Sequence, residues 1–192
     1  QGFVISAGAR ISWPSMAGQN AYLDYLNETW TGDMPAFGAE AGFGASAGWA
    51  FSPALEAGLF FERAGASVRG TLQAVPSDYL SKHGLTVVGA YATGRTPRVL
   101  GPLRLLVRVG AGAGAEIYTE DESGFVTRGS DHGVVWHAAG GLEAGLGGGL
   151  SLDVLGGYRS AAFDGFGVSF FLPGSPPVRL DFGGAYAQAG LS

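Results

Sequence analysis

The 192-residue chain contains no cysteine, and only 14% of its residues are charged. The absence of cysteine excludes disulfides and thiolate metal sites. The chain also lacks any uninterrupted run of the roughly 18 apolar residues that a membrane-spanning helix needs. Hydrophobic residues nevertheless make up 46% of it, beside 35 glycines. Twelve Phe, seven Tyr and four Trp placed in register exclude a flexible glycine-rich chain.

The stretch that explains this composition is LRLLVRVGAGAGAEI, residues 103–117. Its odd positions carry Leu, Val, Ala and Ile, while its even positions carry Arg104, Arg108, Glu116 and glycines. Because side chains alternate across a strand, one face is apolar and the other is polar. The pattern recurs about eight times, always with the charges on the glycine-rich side, which predicts strands with lipid on one face and a polar lumen on the other.

Eight strands are predicted, with one short helix after the first of them. The helix is predicted over 20–30, because Tyr22, Leu26 and Trp30 are spaced by four residues and Gly32 would end it. Strand three loses its alternation after Arg63, which a β-bulge or emergence from the bilayer would both explain. The sequence does not indicate which side chains of strand four point outward. The predicted strands cover 3–13, 37–51, 55–72, 85–93, 103–117, 134–146, 150–162 and 178–186.

Long and short connections alternate along the chain, with polar loops predicted over 75–83 and 120–131 and a connection over 95–102 that contains two prolines and two arginines. Acidic residues gather in the long connections. This alternation is typical of membrane barrels with external loops and periplasmic turns, and it predicts both termini in the periplasm. The external rim should be negative, so a nucleic-acid partner is not expected. The acidic run 120–122 lacks the ligand spacing of a calcium loop and is interpreted as a solvated loop.

The chain resembles the small eight-stranded outer-membrane barrels of the OmpA/OmpX type over its whole length. The resemblance depends on strand number, loop alternation and an ionic lumen, not on a sequence motif. It implies one all-β domain over 1–192: an eight-stranded antiparallel up-and-down transmembrane β-barrel with a short helix in its first external loop. Such a protein must be exported to the bacterial outer membrane, so Gln1 is expected to follow a leader that was removed or omitted.

Two features leave room for alternatives. Proteins of this type commonly finish on an aromatic residue, whereas this chain ends Ala189-Gly190-Leu191-Ser192. A soluble lipocalin-type barrel also has eight strands, but its lumen would be apolar, and here the lumen face carries Arg and Glu.

The lumen face is predicted to hold an ionic network. Charges in so narrow a bore must be paired, since an isolated buried ion costs several kcal/mol. We therefore expect a structural plug of ion pairs in preference to an ion path. The predicted members are Arg10, Glu40, Glu56, Glu62, Arg104, Arg108, Glu116, Glu143, Asp153, Arg159, Arg179 and Asp181. In strand eight the opposite, outward face is assigned to Val178, Leu180, Phe182 and Tyr186.

Two long connections carry apolar side chains that pack on the barrel rim or contact a protein partner or lipid. These side chains are Tyr22, Tyr25, Leu26, Trp30, Phe166, Phe170 and Phe171. The predicted function is a structural or partner-docking surface protein, without enzymatic activity, metal ion or cofactor, whose partners are the lipid bilayer and a protein at its external loops.

A carrier of a small hydrophobic molecule is the first alternative, because lumen glycines could leave a cavity. A lipid-modifying enzyme is the second, and it depends only on Ser130, Asp131, His132 and His137. Consecutive side chains on a strand diverge, so the first three cannot form a catalytic triad among themselves.

Overall fold

The structure is a computed structural model that describes residues 2–73, 77–163 and 180–192. These residues form strands joined by short turns, and one helix. The strands are β1 (Gly2–Pro14), β2 (Glu40–Ser52), β3 (Leu55–Leu72), β4 (Ser77–Arg95), β5 (Leu103–Glu122), β6 (Phe125–Gly147), β7 (Leu150–Phe163), β8 (Leu180–Asp181) and β9 (Gly184–Leu191), and the helix is α1 (Ala17–Trp30).

The strands close into one ring. Each of β1 to β7 pairs antiparallel with the next, and β9 pairs with both β7 and β1. The ring has eight members, and β8 is a two-residue segment that pairs with the last residues of β7. The predicted eight-stranded up-and-down barrel is confirmed. We call the end that holds both termini the termini end, and the end that holds α1 the helix end.

Side chains alternate between an apolar outer surface and a polar interior. Outward residues such as Val109 and Val107 are 50% and 60% exposed. Inward residues such as Glu40 and Arg159 are each 1% exposed. A soluble protein has the opposite arrangement, so the apolar exterior must meet lipid. The structure also settles the facing of β4, where Val87 is buried and Val88 is exposed.

Strands β3 to β6 contain 18, 19, 20 and 23 residues, whereas β1, β2 and β7 contain 13, 13 and 14. The pairing of β3 with β4 has no register shift from Leu55 to Leu72, so β3 contains no bulge against β4. Its alternation weakens because the strand leaves the apolar layer. We call the part of these strands beyond their pairing with β2 and β7 the extended wall: residues 66–72, 77–83, 117–122 and 125–134.

Two predicted polar loops are therefore wrong in the described residues. Strand β4 already begins at Ser77, and β5 and β6 meet at the two-residue turn Ser123-Gly124, where φ is +48° and +95°. The loops were predicted because both segments are rich in polar residues. The outer face of these segments meets water and carries polar side chains, whereas their inner face is buried, with Val68, Leu72 and Tyr79 in the cluster under α1.

Helix α1 begins three residues earlier than predicted, at Ala17, and it packs over the lumen at the helix end. It buries Gln19, Tyr22, Leu23 and Leu26 in an apolar cluster formed with strand residues. Its last turn is closed by Thr31, a left-handed residue whose N–H donates to the Asn27 carbonyl. Among the described residues, no helix is long and apolar enough to span a membrane.

The segment after α1 is tied to both the helix and the wall. The Asn20 side chain accepts a 2.7 Å hydrogen bond from the Phe37 N–H, and that of Asn27 accepts a 2.9 Å bond from the Met34 N–H. Asp33 accepts hydrogen bonds from the N–H and the hydroxyl of Thr71 at the end of β3. These two bonds lower the pKa of Asp33, because they stabilise its ionised form.

The predicted facing of the last strand is wrong. Phe182 and Tyr186 were expected to point outward, but they are 0% and 3% exposed inside the barrel. Both residues belong to the even-numbered face, which points inward because Tyr186 stacks against Arg10 and Phe182 packs against Phe163. Ala185, Ala187, Ala189 and Leu191 occupy the outer face instead.

The lipid-facing surface gives a first prediction. Val109→Arg places a charge in the apolar band and should destabilise the folded barrel in bilayers by about 2–4 kcal/mol. Phe125→Arg, at the 74% exposed tip of the β5–β6 hairpin, should cost much less. The free energy of unfolding of each variant in lipid vesicles, measured by denaturant titration, checks this. Equal costs for the two variants, or a barrel that stays soluble and folded without detergent or lipid, would contradict a lipid-facing exterior.

Candidate functional site

The lumen contains layers of ion pairs along the barrel axis. In the layer nearest the termini end, Arg95 bridges two acids. Its Nη2 lies 2.7 Å from Glu56 Oε2, and its Nε lies 2.5 Å from Glu143 Oε2. The Tyr91 hydroxyl donates to the other oxygen of Glu56. Arg104 Nη1 lies 3.9 Å from Glu143 Oε1, and the Arg104 side chain is 27% exposed.

The middle layer is centred on Arg10. Its Nη1 lies 2.5 Å from Glu62 Oε2, its Nη2 donates to Gln188 Oε1 at 2.8 Å, and its guanidinium stacks 4.1 Å from the centre of the Tyr186 ring. His137 Nδ1 lies 3.6 Å from the other carboxylate oxygen of Glu62, Oε1. The space left in this layer is a cavity of about 20 Å³, which holds one water molecule.

Arg108 and Asp153 also line the cavity of the middle layer. Arg108 donates from Nε to the Thr93 hydroxyl at 3.0 Å and stacks over Tyr91 at 5.0 Å. Asp153 is 4% exposed. The layer is therefore filled by side chains from strands all around the ring.

In the layer nearest the helix end, Arg159 Nη2 lies 3.0 Å from Glu40 Oε2, which also accepts a 3.1 Å hydrogen bond from Ser12. Arg159 donates in addition to the Phe182 carbonyl, at 3.2 Å from both Nε and Nη2. His83 Nδ1 and Glu116 Oε1 are 3.1 Å apart beside this pair. The apolar cluster under α1 covers all of these groups.

Glycines make room for the large lumen side chains. A Cβ atom on Gly110 would lie 2.5 Å from His137 Nε2, and a Cβ atom on Gly48 would lie 2.6 Å from the Tyr91 hydroxyl. Both distances are too short for an alanine without displacement of the neighbour. The glycine-rich face seen in the sequence is thus the space into which the neighbouring side chains fold.

Most residues of the predicted ionic network lie inside the barrel. The following line the lumen: Arg10, Glu40, Glu56, Glu62, Arg104, Arg108, Glu116, Glu143, Asp153 and Arg159. Arg179 lies outside the described residues. Asp181 does not join the network, because its carboxylate accepts hydrogen bonds from the Ser15 hydroxyl at 3.0 Å and the Gly183 N–H at 2.8 Å at the helix end.

Sequence reasoning missed two members of the network, Arg95 and His83. Arg95 was assigned to the connection over 95–102 because prolines follow it, yet it ends β4 on the same face as Tyr91 and Thr93. His83 was assigned to a polar loop and lies on the inner face of β4. Extending the two-residue period of β4 in both directions would have found both.

The apolar residues considered for partner contact are placed differently. Tyr22 and Leu26 are 4% and 1% exposed under α1, so they do not form a surface patch. Tyr25 and Trp30 are partly buried against the same cluster. Phe166, Phe170 and Phe171 lie outside the described residues.

The groups considered for catalysis do not converge. Ser130 and His132 are exposed on the outer face of β6, whereas His137 is 3% exposed in the lumen. Asp131 Oδ1 accepts a hydrogen bond from the backbone N–H of His132, at 2.7 Å, and not from its ring. In the parts of the chain that the structure describes, no group of three or more His, Cys, Asp or Glu could hold a metal ion.

The fold defines the chain as a transmembrane β-barrel of the small outer-membrane type, and solved structures share it. Ail, the attachment invasion locus protein of Yersinia pestis, solved in complex with the heparin analogue sucrose octasulfate, is 13% identical; the match covers 98% of this chain and 95% of Ail with a TM-score of 0.52. Neisserial surface protein A is 16% identical; the match covers 100% of this chain and 96% of that protein, with a TM-score of 0.53. No protein-family model and no curated protein sequence matches the chain.

The Arg159–Glu40 pair gives a second prediction. Arg159→Ala leaves a buried carboxylate without its partner and should destabilise the barrel by about 3–5 kcal/mol. Adding Glu40→Gln should recover part of that loss, since the uncompensated charge is then gone. Denaturant titration of the two single variants and the double variant measures the coupling free energy between the side chains. Strict additivity would contradict an energetically coupled pair.

Proposed function

We propose that this protein is a bacterial outer-membrane surface barrel with a closed lumen, which docks a protein partner through the extended wall at its helix end. The observation that carries the proposal is the extended wall itself. Four strands continue well beyond the other strands of the ring, although a barrel needs no such length to cross the bilayer. A structure of that size outside the membrane is available for contact with other molecules.

The lumen geometry supports a closed barrel. Ion pairs lie in all three layers, the cavity of the middle layer is about 20 Å³, and α1 packs over the bore at the helix end. An eight-stranded barrel is just wide enough to be filled by its own side chains. A cavity that holds one water molecule is far too small for a hydrophobic cargo, which needs several hundred Å³, so carriage receives no support.

The tip of the extended wall supports docking. Phe125 and Val126 flank the β5–β6 turn and are 74% and 51% exposed. Residues 125–134 of β6 pair with β5, and among the described residues they have no strand on their other side, since β7 pairs with β6 only from Val135. By contrast, the end of β3 is covered by the segment 31–34 through Gly32 and Asp33. Exposed apolar side chains at the end of a hairpin that no other described strand flanks offer a binding surface for protein.

Orientation follows from the same features. Both termini lie at one end of the barrel, and the helix and the strands that continue beyond the apolar layer lie at the other. We assign the termini end to the periplasm and the helix end to the exterior, because such barrels carry their larger structures outside. The neighbour named as an attachment invasion locus protein has the same fold, and its name describes a surface interaction. The fold alone does not carry a function from one protein to another, and the proposal therefore depends on the wall.

A single labelling experiment tests both orientation and docking. The chain has no cysteine, so Phe125→Cys and Ala54→Cys each carry one thiol, at the helix end and in the β2–β3 turn at the termini end. A bulky membrane-impermeant maleimide should label Phe125→Cys on intact cells and leave Ala54→Cys unlabelled. Labelled Phe125→Cys, purified natively in mild detergent, should lose the protein that co-purifies with the unlabelled form. Labelling of Ala54→Cys alone would refute the orientation, and a partner retained after labelling at Phe125 would refute docking at the tip.

Closure of the lumen gives a separate prediction. The unmodified protein, reconstituted in planar bilayers, should carry no stable ionic current, because the side chains fill its interior. Arg95→Ala removes the side chain that bridges Glu56 and Glu143 and should produce at most small, flickering currents, since the two remaining layers still close the bore. Single-channel recording of the unmodified protein and of Arg95→Ala measures these currents. Large, steady currents from the unmodified protein would show an open pore.

A further inference from the structure

Helix α1 lies over the lumen outside the strand ladder, and the residues at its two ends have strained backbone conformations. Met16, before the first turn, has a φ of +45°, and Thr31, after the last turn, has a φ of +52°. Neither residue is glycine, so each left-handed conformation is unfavourable by itself. No side-chain hydrogen bond caps the first turn. The helix is therefore held in place by its packing on the strands.

Buried polar groups of the helix oppose that packing. Gln19 is 2% exposed, and among the described residues neither polar atom of its side chain has a hydrogen-bond partner. The same holds for the buried indole nitrogen of Trp30 within that part of the chain. Water would satisfy these groups if the helix moved away from the strands. Docking of α1 is thus a balance between apolar burial and unsatisfied polar atoms.

Three carboxylates are buried in the part of the lumen that the helix covers. Glu40, Glu116 and Glu120 are 1%, 0% and 5% exposed. Among the described residues, the one arginine or lysine in contact with any of them is Arg159, 3.0 Å from Glu40 Oε2. His83 lies 3.1 Å from Glu116, but burial lowers the pKa of His83 to about 3, so its ring is neutral. Acid therefore exceeds positive charge beneath α1.

Glu120 is the carboxylate that touches the helix. It accepts hydrogen bonds from the hydroxyls of Tyr22 in α1 and Tyr79 in β4. Burial raises the pKa of Tyr79, which keeps that hydroxyl protonated. Burial also raises the pKa of Glu120 from its ordinary 4.5 to about 7, although the two hydrogen bonds act in the opposite direction. With α1 docked, Glu120 holds a proton up to neutral pH.

The other titratable side chains on the inner face around Glu120 do not compensate its charge. They are Glu116, Tyr118 and Glu122 of β5, His83 of β4 and Asp131 of β6. Glu122 adds to the rise in the pKa of Glu120 by like-charge repulsion. The described basic residues of the extended wall, Arg69, Lys82 and Arg128, are exposed on its outer face.

We propose that α1 is a proton-linked lid, which docks over the lumen while Glu120 is protonated and lifts when Glu120 loses its proton. Lifting brings the carboxylate and the Gln19 amide into water, and Met16 and Thr31 are the hinges. The ion pairs of Arg10 and Arg95 lie deeper in the barrel and do not involve the helix. Lifting of the lid therefore exposes the inner face of the extended wall and does not open a pore.

The pH dependence follows from the two states of Glu120. Under the docked helix its pKa is about 7, and in water it returns toward 4.5. The docked state binds the proton more tightly, so acid favours docking and rising pH weakens it. The equilibrium constant for docking should fall by up to about tenfold per pH unit between pH 4.5 and about 7 and change little above that.

Hydrogen exchange of the α1 amides measures lifting, because an isolated helix of 14 residues is marginal in water and exchanges once it leaves the strands. Exchange of the protein in zwitterionic micelles is followed by mass spectrometry from about pH 5 to 8, relative to the intrinsic rate at each pH. Protection should fall about tenfold per pH unit up to neutral pH and then level off. In Glu120→Gln, which resembles the protonated acid, protection should not change with pH. Asp24→Asn, at an exposed position of α1, should behave as the unmodified protein.

Tyr22→Phe is a second variant that keeps Glu120 in place. It loses a hydrogen bond that favours the ionised carboxylate, so the fall in protection should continue to higher pH. Circular dichroism and heat-resistant gel migration show that each variant is folded.

The proposal is overturned by protection that does not depend on pH in the unmodified protein, by the same pH response in folded Glu120→Gln, or by a response lost equally in Asp24→Asn. An unchanged pH profile in Tyr22→Phe would overturn it as well. These measurements in micelles do not depend on which end of the barrel faces the exterior. Their outcome is therefore independent of the docking and orientation proposed above.

Discussion

The structure depends on the closure of the hydrogen-bonded ring, where β9 pairs with both β7 and β1. In lipid no water is available to satisfy a free backbone N–H or C=O, and each unsatisfied group costs several kcal/mol. A sheet of strands can cross a bilayer only when its first and last strands meet. Every other feature follows from this constraint, because a closed ring of eight strands has a narrow interior that the chain must fill with its own side chains.

The interior is filled with charged residues, and this requires exact pairing. Arg159 and Glu40 are almost fully buried at 1% exposure each, and neither would be stable alone in that environment. The ring supplies the partners from distant parts of the sequence: Arg10 from β1 meets Glu62 from β3, and Arg95 from β4 meets Glu143 from β6. Glycines on the same face leave the space that these long side chains occupy.

Charge is divided by location. The acids of the lumen are compensated largely by lumen arginines, and the outer face of the extended wall carries both cations and the acids Asp78 and Asp121. A net charge of −5 for the whole chain hides this division. The proposed protein contact lies at the tip of the extended wall, where Phe125 is exposed.

The two-residue period identified the barrel from the sequence, because lipid outside and charge inside impose opposite chemistry on alternate residues of each strand. It placed Val109 and Trp136 outward and Arg108 and His137 inward. It failed where the constraint ends. Beyond the apolar layer the outer face meets water, so the contrast between lipid outside and charge inside ends, and the continuation of β4 to Ser77 and of β6 to Phe125 was hidden among polar residues. The inner face of β4 stays buried there only because α1 packs over it.

Other features were decided only by the tertiary structure. The face of β9 that points inward was decided by packing, since Tyr186 lies against Arg10 in the lumen. The spacing of Tyr22 and Leu26 correctly predicted a helix, but whether its apolar face meets a partner or the lumen depends on how α1 packs against strands that are distant in sequence. Which cation meets which carboxylate depends in the same way on the register of the ring. The sequence by itself determined the alternation and therefore the class of fold, because the period of two is a local property, whereas pairing and helix packing arise from contacts between residues far apart in the chain.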